Sequence, residues 1–191
     1  MLARISGDIR KARRALGTLQ ADERRLARLV EEIGRVLKAR PGAGYARVES
    51  VPRLGSVAGP FSGLRGKLRL PVRGELAARF GQAREEGPVG KKGVFIRAAE
   101  GQPVLAVAAG QVVYAEWMRG YGNLLIVDHG ENYLSIYANN ESLLKQTGDP
   151  VAAGEAIATV GASGGNEQSG LYFELRHLGQ AFDPLRWVVL K

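Results

Sequence analysis

A regular apolar stripe runs through the first 37 residues, and it constrains how the chain folds more than any other feature. Its positions recur in steps of three and four: Leu2, Ile5, Ile9, Ala12, Leu16, Leu19, Glu23, Leu26, Val30, Ile33 and Leu37. This spacing, about 3.5 residues and broken only at Glu23, predicts a coiled-coil-type amphipathic helix over residues 1–39. The part that carries the stripe, residues 2–37, would be about 54 Å long. A helix cannot cover so narrow a stripe by itself, so we expect it to pack against a partner helix or a groove.

Most of the net charge of +8 lies in the same segment. Residues 1–40 contain 11 Lys and Arg against 5 Asp and Glu, which leaves a net charge of +2 for residues 41–191. No aromatic residue before Tyr45 interleaves the basic ones, so the stacking groups of single-strand binders are missing and we expect no nucleic-acid partner. A solvated helix face and attraction to an anionic membrane or an acidic partner both stay open.

Three features limit the compartment and the chemistry. The sequence has no run of 18 apolar residues of the kind that would span a membrane. Its first 15 residues lack the apolar core of an export signal, so for an exported protein we expect that signal to lie outside this sequence. There is no cysteine for disulfides or thiolate metal sites, and the two histidines, His129 and His177, are few for a metal or acid–base site.

The segment that follows the helix changes character at Pro41. Residues 41–63 hold five glycines and three prolines without periodicity, which predicts a linker or strap over 40–67. From residue 68 to 191, short β-branched runs separated by glycine predict an all-β domain. The candidate strands are 103–108, 111–116, 123–128, 132–138, 156–160 and 171–176, with the first two joined as a hairpin at Ala109-Gly110.

One short motif occurs twice in this domain. The segment 107–113 reads VAAGQVV, and 151–157 reads VAAGEAI, 44 residues later. The recurrence suggests an internal duplication, although chance similarity of two hairpins stays open. Biotinyl and lipoyl carrier domains also contain duplicated hairpins, but they need a lysine at a hairpin tip, where this sequence has Ala-Gly.

Residues 71–188 resemble the LytM-type domain of the M23 peptidases, the lysostaphin-type fold. The matching stretches include RFG (79–81), GVFIRAAEGQPVLAVAAGQVVYAEW (93–117), GYGNLLIVDHG (120–130), VAAGEAIATVGASGG (151–165) and LYFELRHLGQAFDPLRW (171–187). The resemblance implies a mainly β fold, the duplicated hybrid motif built as an antiparallel sandwich or barrel. The long α-helix would precede it.

The same resemblance locates the positions of a zinc site. Active members bind zinc through the His and Asp of an H-x-x-x-D motif and the second His of an H-x-H motif; the first His of H-x-H and one further His position the catalytic water. Here the three ligand positions hold Lys91, Phe95 and Tyr172, and the two catalytic positions hold Gly170 and Asn139. Catalytic zinc needs about three N, O or S ligands. The resemblance therefore implies no zinc cofactor, no catalytic residue and no hydrolysis.

Loss of all five residues together with an N-terminal coiled coil resembles the EnvC-type murein hydrolase activators. This resemblance implies a periplasmic, non-catalytic LytM factor that binds and activates peptidoglycan (N-acetylmuramoyl-L-alanine) amidases during cell division. It also implies that the coiled coil docks to an ABC-transporter-like division complex in the inner membrane. Direct binding of peptidoglycan stays open. The alternatives are an active M23 zinc endopeptidase and a cell-wall-binding module without an activator role.

The former active-site groove is then expected to bind the partner protein. The residues expected to face it are Lys91, Phe95, Tyr121, Asn139, Tyr172 and Arg176. Phe95 and Tyr172 hold positions where ligands converge, so we expect their rings to lie near each other as an apolar floor; packing in place of the metal is the alternative. Because the helix has an unsatisfied stripe, we also expect part of residues 1–63 to pack across this groove and block it until displaced.

Overall fold

The computed structural model describes residues 2–39, 59–82 and 92–189. One long helix, α1, covers Leu2–Lys38, as the apolar period predicts. Ten strands follow: β1 Glu75–Ala78, β2 Val94–Arg97, β3 Pro103–Leu105, β4 Gly110–Met118, β5 Gly122–Asp128, β6 Tyr133–Leu143, β7 Pro150–Val151, β8 Ala156–Val160, β9 Gly170–His177 and β10 Gln180–Phe182. Two short 3-10 helices, Phe61–Leu64 and Pro184–Arg186, flank them.

The strands form a continuous antiparallel sheet, which confirms the mainly β prediction. Its principal order is β1-β2-β9-β6-β5-β4-β7; β10 is added to β9, and β8 joins β3 to β6. The predicted strands correspond to β3, β4, β5, β6, β8 and β9. The four strands that were not predicted, β1, β2, β7 and β10, have at most four residues each, too few to show a period in sequence.

The predicted hairpin between 103–108 and 111–116 is wrong. Strand β3 pairs with β8, with Val104 opposite Ala158, and the start of β4 pairs with β7, with Gly110 opposite Val151. The two copies of the repeated motif thus pair with each other rather than folding back on themselves. The contact is symmetric between the two copies. Ala106 N–H donates to Glu155 O. The residues that correspond to these two in the other copy, Pro150 and Gln111, also lie opposite each other. This symmetry supports an internal duplication.

Both faces of the central strands carry apolar side chains. One face closes the main core, which includes Val94, Ile96, Leu125, Val127, Tyr137, Leu171, Phe173 and Leu175. The other face carries Leu124, Ile126, Leu134, Ile136 and Ala138 and packs against Leu26, Val30 and Ile33 of α1. Burial of each of these three helix side chains contributes about 1.5–3 kcal/mol. The stripe of α1 is therefore covered by a sheet face, which we call the α1-covered face.

The stripe of α1 extends past the sheet at its N-terminal side. Leu26 is 0% exposed, whereas Leu19 is 37% exposed and Leu16 is half-buried. Asp22, one residue outside the apolar repeat, is buried at the end of the sheet. The docked part of α1 thus runs from about Asp22 to Leu37, and the preceding turns carry apolar residues beyond the contact.

The segment predicted as a linker lies mainly outside the described residues. Its described end, residues 59–67, packs onto the β domain through the buried side chains of Phe61 and Leu64. Ser62 also donates from its N–H and its Oγ to Glu131 Oε2, at 3.2 and 2.9 Å. The division into 1–39, 40–67 and 68–191 stays a prediction. Within the described ranges, no helix is long and apolar enough to cross a membrane.

Candidate partner-binding groove

The two former ligand positions that the structure describes lie on the α1-covered face. Strands β2 and β9 are antiparallel neighbours that place Phe95 directly opposite Tyr172. Tyr172 is in turn opposite Ala138 of β6, whose side chain belongs to the α1 contact. Register therefore brings these positions together on one face, as motif matching predicts. Lys91 lies outside the described residues.

The rings of Phe95 and Tyr172 do not form the expected shared floor. A Cβ on Gly170 would lie 2.5 Å from Phe95 Cζ, so the Phe95 ring occupies the space of a side chain at that position. A Cβ on Gly93 would lie 2.8 Å from Tyr172 Cζ. The two rings therefore lean toward opposite ends of the paired strands. The ring packed beside Tyr172 is that of Tyr121, at a centroid distance of 5.7 Å.

The described ligand positions do not fit a zinc ion. Phe95 has no lone pair to offer, and the Tyr172 hydroxyl donates to Glu174 Oε2 at 2.7 Å. Burial and the negative charge of Glu174 raise the pKa of Tyr172 well above its ordinary value, which keeps the phenol neutral. No group of three or more His, Cys, Asp or Glu within the described ranges could hold a metal ion. The donor chemistry thus disagrees with the family's zinc site.

A buried ion pair continues the row of side chains on β9. Glu174 is 0% exposed and Arg176 is 3% exposed, and Arg176 Nε donates to Glu174 Oε1. Burial raises the pKa of Glu174, opposed mainly by the positive charge of Arg176. The expectation of Arg176 as an exposed groove residue is wrong in this conformation. Sequence reasoning also missed Glu174; its place midway between Tyr172 and Arg176, on the same strand face, was the available signal.

Asn139, at the position of a catalytic histidine, is buried rather than exposed in the groove. Its backbone N–H donates to Tyr121 O at 2.7 Å, and its Nδ2 donates to Tyr121 O at 3.2 Å and to Ser163 O at 3.0 Å. Its φ of 66° is a left-handed conformation that asparagine adopts more readily than most residues. Asn139 therefore fastens the turn before β5 to the loop after β8, and this holds Tyr121 in place.

Helix α1 covers the groove at the position of Tyr121. Tyr121 is 9% exposed and belongs to the same apolar cluster as Leu26, Val30 and Ile33. At the adjacent turn, a Cβ on Gly120 would lie 2.4 Å from Asp22 Oδ2, so the helix approaches the turn backbone closely. We expected part of residues 1–63 to pack across the groove, and α1 is the part that does so. The groove residues Tyr121 and Tyr172 lie beneath or beside this helix.

Comparison with known proteins agrees with this geometry. The family model "Peptidase family M23" matches residues 89–184. The chain is 35% identical to the murein hydrolase activator EnvC of Escherichia coli strain K12, over 98% of this chain and 49% of that protein. It is 42% identical to the murein hydrolase activator NlpD of the same strain, over 63% of this chain and 31% of that protein. The chain therefore spans about half the length of EnvC and less of NlpD.

The fold also agrees with a solved structure. A crystal structure assigned to peptidase M23 from Pseudomonas aeruginosa has a TM-score of 0.61 and 23% sequence identity, and the match covers 88% of this chain and 61% of that chain. At this identity the likeness concerns the fold alone. Because the family model matches just over half of the residues of this chain, the chain belongs to peptidase family M23.

Proposed function

We propose that this chain is a non-catalytic LytM factor that binds and activates peptidoglycan (N-acetylmuramoyl-L-alanine) amidases in the periplasm during cell division. The observation that carries the proposal is that α1 lies on the sheet face that holds Phe95 and Tyr172 in place of metal ligands. The names of the relatives, murein hydrolase activators EnvC and NlpD, support the same activity. The residues at the ligand positions support the absence of catalysis, because they are poor zinc ligands.

The α1-covered face has the composition of a protein-binding surface. Its centre is apolar, and Tyr121 and Tyr172 add aromatic anchors of the type that dominate interface energetics. Glu174 and Arg176 supply a charged pair beside them. The present occupant is an amphipathic helix, so we propose that the amidase also presents a helix, with apolar residues at the spacing of Leu26, Val30 and Ile33.

Helix α1 and the amidase would then compete for one surface. Because α1 is part of the same chain, its local concentration is high and it keeps the partner out until something removes it. The turns of α1 that precede Asp22 carry half-buried or exposed apolar residues, Leu16 and Leu19, which a second protein could bind. The second partner we propose for this helix is an ABC-transporter-like division complex in the inner membrane, with docking of α1 there as the trigger.

A pair of substitutions on α1 tests self-inhibition. Ile33→Asp places a carboxylate in the contact with the sheet, whereas Val36→Asp places one on the outer side of the same helix, where Val36 is 50% exposed. We expect Ile33→Asp to increase amidase activation by about tenfold or more, because a buried unpaired charge costs several kcal/mol of docking. Val36→Asp should match the unmodified protein. Equal activation by all three proteins, with the β domain folded by circular dichroism, would rule out self-inhibition.

The binding surface is tested in the Ile33→Asp variant, called the released variant because α1 is expected to leave the sheet. Adding Tyr172→Ala to Ile33→Asp should abolish most amidase activation and binding, while adding Leu144→Ala, at a side chain 52% exposed outside the covered face, should leave both unchanged. Peptidoglycan digestion by this chain alone would instead support the zinc endopeptidase. Sedimentation with peptidoglycan, combined with no activation of any amidase by the released variant, would support the cell-wall-binding module.

A further inference from the structure

The side of the sheet that faces away from α1 also has an opening at its surface. A surface cleft of about 300 Å³ opens where β9 turns into β10, and it is lined by Tyr133, His177, Gln180, Ala181, Phe182 and Trp187. His177 is opposite Tyr133 in β6 and opposite Gln180 in β10, so the three side chains form a row on one face. Leu175, on the same face of β9, points into the main core. The cleft therefore faces away from α1.

Part of this aromatic cluster has a packing role. The rings of Tyr133 and His177 stack at a centroid distance of 4.1 Å, and those of Phe182 and Trp187 lie 5.1 Å apart. Phe61 stacks on Trp187 from the inner side at 5.3 Å, which attaches the segment before β1 to the C-terminal part of the chain. Packing accounts for the buried rings but not for the polar groups at the edge of the cleft.

Four polar groups at the edge of this cleft are open to a ligand as far as the described residues show. The Tyr133 hydroxyl, the His177 ring nitrogens, the Gln180 amide and Trp187 Nε1 make no hydrogen bond to any residue within the described ranges. They are not buried unsatisfied atoms either, so they reach solvent. His129, beneath the same cluster, differs, since both of its ring nitrogens are bonded at 2.7 Å. The cleft therefore combines aromatic rings with several available donors and acceptors.

The lining also indicates the chemical class of the ligand. Its described residues include no Lys, Arg, Asp or Glu, so neither a phosphate nor an ammonium ligand would find a counter-charge. A pyranose sugar fits, because the weakly positive C–H face of the ring suits the negative face of an aromatic ring, and its hydroxyls can bond to the amide, imidazole and phenol groups. The volume is at the lower end for ligand sites and has room for about one such ring.

We propose that this cleft binds a neutral sugar unit of the peptidoglycan glycan strand. The choice of peptidoglycan as the source rests on the proposed function, whereas the neutral-sugar chemistry follows from the lining alone. Because the cleft and the α1-covered face lie on opposite sides of the sheet, a glycan held here leaves the amidase surface accessible. The domain can then hold its partner next to the partner's substrate.

A fluorescence titration tests this site with the trimer of N-acetylglucosamine as the probe. The chain has two tryptophans, so Trp117→Phe leaves Trp187 as the reporter. We expect a saturable change in Trp187 emission, and a loss of affinity of about threefold to tenfold when Gln180→Ala or His177→Ala is added. Gln168→Ala, an exposed glutamine at Arg97, is the matched control. No saturable change up to about 10 mM trimer would overturn the proposal.

Sedimentation with insoluble peptidoglycan, without any amidase, gives an independent measurement. The unmodified chain and Gln168→Ala should pellet with the polymer to the same extent, and a smaller fraction of Gln180→Ala should pellet. Equal pelleting of all three would contradict the site. The two proposals fail separately: amidase activation without trimer binding refutes the cleft alone, and trimer binding without activation by the released Ile33→Asp variant refutes the activator function alone.

Discussion

The ring of His129 is fixed by a hydrogen bond on each nitrogen, to Ala109 O and to Ser135 Oγ, and the ring of Phe61 stacks on it at 4.7 Å. Burial lowers its pKa to about 4, although the bond to Ala109 and the charge of Asp128 act in the opposite direction. Between pH 4 and about 6.5 the unfolded chain therefore binds more protons than the folded one. We expect stability to fall as the pH drops through this window, by about 1–3 kcal/mol.

Urea unfolding at about pH 7.5 and about pH 4.5 measures this effect. His129→Gln, which keeps a donor and an acceptor but cannot titrate, should reduce the loss of stability between the two values. His177→Gln is the control, because that side chain stacks on Tyr133 near the surface. An unchanged pH dependence in His129→Gln would show that other groups cause the loss.

The buried pair on β9 gives a second prediction at this scale. Glu174→Gln removes the negative charge beside Arg176, which is 3% exposed, and should lower the free energy of unfolding by about 3–5 kcal/mol. Glu75→Gln is the matched control: it breaks an ion pair with Arg97 whose side chains are 73% and 47% exposed, and should cost less than about 1 kcal/mol. Chemical denaturation of both variants measures the difference. A small effect of Glu174→Gln would mean that Arg176 finds another partner.

Motif matching predicted where the groove residues stand but not how they are used. The alignment of Phe95 and Tyr172 on one face follows from strand register and was predictable. The burial of Asn139 and Arg176 was not, because it depends on hydrogen bonds and on residues far away in sequence. Glu174 was missed for a related reason: a carboxylate in an alternating strand normally indicates a solvent-facing position.

At the level of elements, the apolar period predicted the structure better than the order of the strands along the chain did. The spacing of Leu26, Val30 and Ile33 predicted α1 and its need for a partner, since a helical stripe is a local property. It did not identify the partner, which was a sheet face. The buried run of β5, Leu124–Val127, offered a clue because both of its faces are apolar. The β3–β4 hairpin failed because pairing across the duplication is long-range.

The docking of α1 is expected to be separable from the fold of the sheet. Leu26→Ala creates a cavity beneath the helix and should weaken docking by about 2–5 kcal/mol. Leu19→Ala, at a side chain 37% exposed, should have little effect. Amide hydrogen exchange should then show at least about tenfold faster exchange in residues 22–37 of the Leu26 variant, with strand β6 unchanged. Equal acceleration in α1 and β6 would mean that helix and sheet open as one unit.

In the whole molecule, the sheet divides two proposed roles between its faces. The α1-covered face carries Tyr121 and Tyr172, and the opposite side carries the aromatic cleft at His177. The contact of α1 with the first face leaves the cleft open. A glycan-bound, inhibited state and a glycan-bound, active state can therefore differ in the position of α1 alone.

That difference can be controlled with a covalent link, because the chain has no cysteine of its own. A Cβ on Gly120 would lie 2.8 Å from Asp22 Cβ, so Asp22→Cys with Gly120→Cys can close a disulfide after a shift of about 1 Å. Gly120 has a φ of 85°, so cysteine there costs about 1–2 kcal/mol. The two cysteines are combined with Ile33→Asp in one protein. We expect its oxidised form to leave the amidase inactive and its reduced form to activate the amidase. In each single cysteine variant, amidase activation should be the same under oxidising and reducing conditions. Full activation by the oxidised form, with the disulfide verified by mass spectrometry, would show that the amidase binds while α1 stays docked.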